Sequence, residues 1–446
     1  MDRHENTFPQ EIWVEVMRYC SQESLVTLSR VSPLFCTEAR KLLLRTVRSK
    51  YPTSQEDNHM GVIHRPYAFY DLLSKYQVDW RRMIRSIELH WLSEYVGKDG
   101  ENALFGREKP VEDHLIFRTA MLLCECHHLN DFHLSVRFLK VATAMLKNAS
   151  PPLTSLDFSL PHRYSWEDTF RVFSLPTLDT LVIRNLLSPD QPAFRYPSAI
   201  PDALHEQHAV SNVRDLRLLD CGPLTQQISP LFQWPKKLER LIYAPARSKC
   251  EPYWRTILRR TGDISDAVDL SLEVLAPLRS TLQELHFDLG LDRHWILPFR
   301  TGELFRPFTK LSHLTAPVEL IMQSSGLSRS RLDKPFYTNL PPSLEDLELK
   351  FTSYISWHSR AAHSGLSADA CLESDPAHQL FDEISTLAVQ KEGSFPAFRK
   401  LTLTGDGEKP FLVKCCHVDY ALDDLENRGV HVVQRDWYRQ STETWS

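Results

Sequence analysis

Between residues 8 and 47 apolar side chains recur at helical spacing in three successive bursts. Pro9 suits a first helical position, and Ile12, Trp13, Val16, Met17 and Cys20 follow on one broad face. At 100° per residue they cover roughly 140° of a helix. Ser21 is placed to cap a second short helix carrying Leu25, Val26, Leu28 and Val31, which spread over about 220°. Ser32-Pro33 then opens a third helix with Leu34, Phe35, Ala39, Leu42, Leu43 and Val47. Three helices within about 40 residues cannot bury that much apolar surface among themselves. The excess predicts either a partner or packing as a cap on the rest of the chain.

The pattern then changes period. Residues 48–66 are polar and punctuated, which reads as a linker, and residues 67–77 look helical. From residue 84 one phrase, apolar-x-x-apolar-x-apolar, returns ten times: IRSIEL (84–89), LNDFHL (129–134), LTSLDF (153–158), LDTLVI (178–183), VRDLRL (213–218), LERLIY (238–243), LQELHF (282–287), LSHLTA (311–316), LEDLEL (344–349) and FRKLTL (398–403). Three apolar slots match by chance about once per fourteen positions in a chain this apolar. Yet the middle slot is Leu in eight of the ten phrases, and six have a proline within four residues upstream: Pro152, Pro176, Pro235, Pro307, Pro342 and Pro396. Such a proline ends a helix and favours an extended run after it. Helical patterns fall between phrases, as in 111–128, 263–278 and 377–393. On a strand the last two apolar slots point inward and the residue between them outward. The outward row reads Glu88, His133, Asp157, Val182, Arg217, Ile242, His286, Thr315, Glu348 and Thr402. Its mixed charge suits protein recognition better than a small molecule. The gaps 93–110, 188–208, 323–341 and 352–376 are long and rich in Pro, Ser and charge, which marks them as loops with a role or as unstructured.

Composition narrows the function. A net charge of −5 and a pI near 6.4 argue against nucleic acid, and no apolar run reaches membrane-spanning length. The start lacks the apolar stretch of a secretion signal, and nine irregularly spaced cysteines fit reduced thiols in the cytoplasm or nucleus. CECHH (124–128), CCH (415–417) and HEQH (205–208) lack the ligand spacing of a metal site. No nucleophile elbow or phosphate-binding glycine loop occurs. No catalytic residue, metal or cofactor is therefore expected.

Two resemblances give these patterns a family reading. Phe8-Pro9-x-Glu11-Ile12, Ser24-Leu25, Leu28-Ser29-x-Val31-Ser32 and Phe35 resemble the F-box, with Phe8 where that motif usually has Leu. The ten phrases resemble leucine-rich repeats, although their starts lie 24 to 54 residues apart and only VRDLRLLDC carries a Cys, Cys221, at the repeat's usual Asn or Cys position. The implied fold class is α/β: a three-helix F-box over 7–48, a linker with a leading helix over 49–80, an irregular leucine-rich-repeat solenoid with a parallel sheet over 81–435, and a tail from 436. An ordinary α/β domain with leucine-rich strands is the alternative. The F-box resemblance implies that Phe8, Pro9, Ile12, Val16, Leu25, Leu28, Val31 and Phe35 face a Skp adaptor and, through it, a cullin. The chain would then be a non-enzymatic substrate receptor of a ubiquitin ligase, with Asp157, Arg217, His286 and Glu348 on the repeats meeting an unidentified protein substrate. An adaptor-bound scaffold without substrate turnover, or an enzyme with an unfamiliar site, are the rival readings.

Overall fold

The computed structural model describes residues 10–49, 84–89, 131–134, 153–160, 166–186, 200–261, 271–290, 304–321, 336–350, 376–404 and 416–435. It is a mixed α/β protein whose strands pair only in parallel among the described residues. The chain divides into two compact units, Met1–Leu181 and Val182–Ser446.

The first unit opens with helices α1 (Gln10–Arg18), α2 (Gln22–Leu28) and α3 (Pro33–Arg45). Both expected caps form. The amide of Ser24 donates to Ser21 Oγ at 3.2 Å, and the amide of Phe35 donates to Ser32 Oγ at 3.2 Å. Each satisfies an amide that a helix start otherwise leaves unpaired. Two expectations shift. Helix α2 stops at Leu28, where Ser29 Oγ–H turns back to the carbonyl of Val26 at 2.7 Å, so Val31 lies in the following turn. Val47, expected on the third helix, belongs to strand β1 (Thr46–Ser49) and is registered beside Ile87. Its helical spacing was real, but pairing to a neighbouring strand outweighs a local periodicity of one residue, and β-branched Val suits the pleat. The expected module boundary at residue 48 therefore falls inside a strand.

Strand β1 pairs with β2 (Ser86–Leu89), β2 with β3 (Asp131–Leu134) and β3 with β4 (Ser155–Ser159). The middle slots align as Val47, Ile87, Phe132 and Leu156. Helix α4 (Trp166–Phe173) follows and buries Trp166, Val172 and Phe173. Strand β5 (Thr180–Arg184) contains the boundary between the units.

In the second unit β6 (Asp215–Cys221), β7 (Arg240–Pro245), β8 (Glu284–Phe287), β9 (His313–Pro317), β10 (Asp346–Lys350), β11 (Lys400–Thr404) and β12 (His431–Arg435) pair in chain order. One column of side chains runs through Leu216, Leu241, Leu285, Leu314, Leu347, Leu401 and Val432, and its leucines are all at most 1% exposed. Helices return the chain between strands at α5 (Arg247–Thr261), α6 (Pro376–Ser394) and α7 (Cys416–Asn427).

The upstream signals of the phrases have a structural counterpart. Pro342 and Pro396 sit in turns just before β10 and β11. Beyond the turn, successive strands are stitched by one carbonyl that accepts two amides. Glu239 O takes the amides of Gln283 and Glu284, Gln283 O those of Ser312 and His313, Ser312 O those of Glu345 and Asp346, and Glu345 O those of Arg399 and Lys400. Hydroxyls add a second stitch: Ser343 Oγ donates to Leu311 O at 2.9 Å in this unit, and Thr177 Oγ1 to Leu153 O at 2.9 Å in the first. These bonds hold the start of each strand in phase although the connecting segments differ greatly in length, because loop closure costs only slowly more as a loop grows. The last four residues of each of the ten phrases lie on a strand. Among the described residues, no helix is long and apolar enough to cross a membrane.

Candidate binding surfaces

The three N-terminal helices form a small core from Met17, Leu25 and Ala39, with Cys20, Leu28, Phe35, Leu42 and Leu43 packed around it. Trp13 meets Phe35 edge to face at 5.5 Å between ring centres. That core accounts for one side of each helix. Outside it, Ile12, Trp13, Val16, Tyr19, Val26, Val31 and Leu34 are exposed, leaving Val389 as the one other large apolar residue exposed among the described residues. Ile12 and Val16 lie four residues apart on one stripe of α1, beside the core stripe, and Tyr19 follows in the turn just past its end. Seven such residues within 23 positions exceed the scatter of single apolar residues that any surface carries.

The expected adaptor-facing residues thus separate. Ile12, Val16 and Val31 present 47%, 47% and 63% of their surface. Leu25 is 6% exposed and serves the internal core, while Leu28 and Phe35 are half-buried against it. Phe8 and Pro9 lie outside the described residues. Trp13, Tyr19, Val26 and Leu34 are additions that the motif did not supply. Their signal was in the sequence as excess width of the apolar faces, but periodicity could not say which edge of each face stays open.

The strand face of the second unit carries two polar rows. The first is Asp215, Arg240, Glu284, His313, Asp346, Lys400 and His431, in register from strand to strand. Its members pair along the row: Asp215 lies 3.6 Å from Arg240, Arg240 2.5 Å from Glu284, and His313 3.3 Å from Asp346. The second row, Arg217, Ile242, His286, Thr315, Glu348, Thr402 and Val433, holds three of the four residues expected to meet a substrate. Arg217 turns along its own strand and donates to both carboxylate oxygens of Asp215, the shortest bond being 2.7 Å. Glu348 accepts from Thr404 Oγ1 at 2.8 Å and from Thr315 Oγ1 at 3.3 Å, one hydroxyl on each oxygen. Lys350 reaches across to His286, its Nζ 2.8 Å from Nε2. An ammonium can only donate, so the ring nitrogen accepts and His286 is neutral there. Burial, and next the positive charge of Lys350, lower the pKa of His286. Thr402 is buried, which takes it out of the exposed row. Asp157, the fourth expected residue, is half-buried on β4 of the first unit in register with His133, and Val182 is buried on β5.

Two thiols of this unit, Cys221 at the end of β6 and Cys250 on α5, are buried. Cys221 donates to Leu219 O at 3.1 Å and to Ile183 O at 3.7 Å. Burial pushes its pKa up to about 12 and also raises that of Cys250. His205, from the HEQH stretch, contacts the carbonyl of Ile200 at 3.1 Å. Among the described residues, no group of three or more His, Cys, Asp or Glu is placed to hold a metal; CECHH lies outside them. The expected loop 188–208 contains a one-turn helix at Asp202–His205, and the described part of 323–341 a short helical turn at Phe336–Asn339. No protein-family model matches the chain, and neither does any curated protein sequence.

Proposed function

We propose that the chain is the substrate-recognition subunit of a Skp–cullin–F-box ubiquitin ligase, with an F-box at its N-terminus and an irregular leucine-rich-repeat solenoid behind it. The observation that carries the reading is the concentration of exposed apolar side chains on the three N-terminal helices, in a segment whose residue order resembles the F-box. A helical unit that keeps its own core yet leaves Ile12, Val16 and Val31 wet is suited to a hydrophobic partner. The in-register column of leucines and the polar face beside it support a repeat surface that holds a protein. The protein then acts without chemistry of its own: it keeps a substrate near the transfer site, which raises the local concentration and makes the step effectively unimolecular.

The test is affinity purification of the full chain followed by mass spectrometry, with the ubiquitin ligase activity of the isolated complex measured on the proteins that co-purify. The reading expects a Skp adaptor and a cullin in the complex and ubiquitin transfer to at least one captured protein. Adaptor without cullin or transfer would favour a scaffold, and absence of the adaptor would refute the F-box assignment.

A further inference from the structure

The geometry points to the His286–Lys350 pair on β8 and β10 as the place where an oxyanion on the protein substrate, a carboxylate or a phosphate, docks. The inference deepens the reading above and rests on its assignment of the strand face to a substrate. Lys350 has three N–H donors, and His286 is its one hydrogen-bond partner among the described residues. The carboxylate two residues earlier, Glu348, has each oxygen engaged by a threonine hydroxyl and forms no ion pair with Lys350. The register neighbours of Lys350 are Pro317 and Thr404. Proline brings no side-chain acceptor, and the Thr404 hydroxyl donates to Glu348. A half-buried ammonium is thus left facing a neutral ring with donors uncommitted to any described carboxylate, whereas Arg217, Arg240 and Arg399 are ion-paired. Lys400, in the neighbouring row, likewise forms no ion pair among the described residues but has no hydrogen bond to a histidine. An oxyanion would take those donors in charge-assisted bonds.

The site is also linked to protons. The charged groups acting on His286 are Lys350 and Glu348 on β10 and Asp288 and Glu284 beside it on the β8 side, while Thr315 is its neutral neighbour on β9. An anion beside the pair offsets the repulsion between Lys350 and a protonated His286, so binding takes up a proton. Acetate and inorganic phosphate are the two probes. The full chain is labelled with ¹³C-histidine, the His286 resonance is assigned by its absence in His286→Gln, and its titration is followed with each anion. The inference expects the His286 midpoint to rise when an anion is added. It further expects apparent affinity to fall at least about tenfold in Lys350→Met and to return in Lys350→Arg. A response to both anions identifies carboxylate chemistry, and a response to phosphate alone identifies a phosphorylated side chain. No response to either, or an unchanged response in Lys350→Met, overturns the proposal. The adaptor takes no part in this measurement, so its failure leaves the F-box reading standing, and loss of adaptor binding leaves this site standing.

Discussion

Replacing Ile12, Val16 and Val31 together by alanine separates the surface of the N-terminal helices from their core. Complete burial of a Val or Ile side chain contributes about 1.5–3 kcal/mol. These three keep 47%, 47% and 63% of their surface in water in the free chain, so that fraction is what a partner can still cover. Scaled in this way and corrected for the Cβ that alanine retains, the loss on adaptor binding comes to about 2–3 kcal/mol, or roughly 30- to 150-fold in Kd. The rest of each side chain is already covered in the free chain, so by the same scaling folding loses a comparable amount, about 2–3 kcal/mol, and binding is compared under conditions where each variant is still folded. Leu25→Asp is the contrast. At 6% exposure Leu25 lies in a core with only Met17 and Ala39 as fully buried companions, and an unpaired carboxylate there should unfold the helices outright. The assay is calorimetric titration of full-length protein with a Skp adaptor, alongside thermal unfolding of each variant. If the triple alanine variant binds within about threefold of the parent while folded, the exposed stripe is not the interface. If Leu25→Asp binds and melts normally, the assignment of the internal core fails.

Two further outcomes test the fold and the thiols. Leu314→Ala removes a side chain 1% exposed between Leu285 and Leu347 in the column, and should cost about 2–5 kcal/mol in urea unfolding; a loss below about 1 kcal/mol would mean that the column is not closely packed. Cys221 and Cys250, both buried with raised pKa, should remain unmodified by iodoacetamide at pH 8 in the native chain and react fully in denaturant, read by peptide mass spectrometry; native alkylation of either would contradict the burial.

The sequence by itself determined the strands whose three slots are all apolar, because an inward-facing position in a parallel stack must be apolar wherever helices or loops cover it. It missed β1 and β12 for the same reason. Aligned by register, the last two slots hold Val47 and Ser49 in β1 and Val432 and Gln434 in β12, so the phrase is broken at its final position in both. The helix caps at Ser21 and Ser32 were equally legible, since a cap is a local exchange between a hydroxyl and an amide three residues on. Alternation likewise assigned Arg217, His286 and Glu348 to one row. What only the tertiary structure decided is how a face is divided and who meets whom across strands. Leu25 and Val26 are adjacent and equally apolar, yet one closes the core and the other stays wet, according to where α3 lies against α2. His286 and Lys350 are 64 residues apart, and no local pattern could bring them together. Their 2.8 Å contact comes from stacking β9 between β8 and β10, which sets a long-range distance by register rather than by sequence spacing.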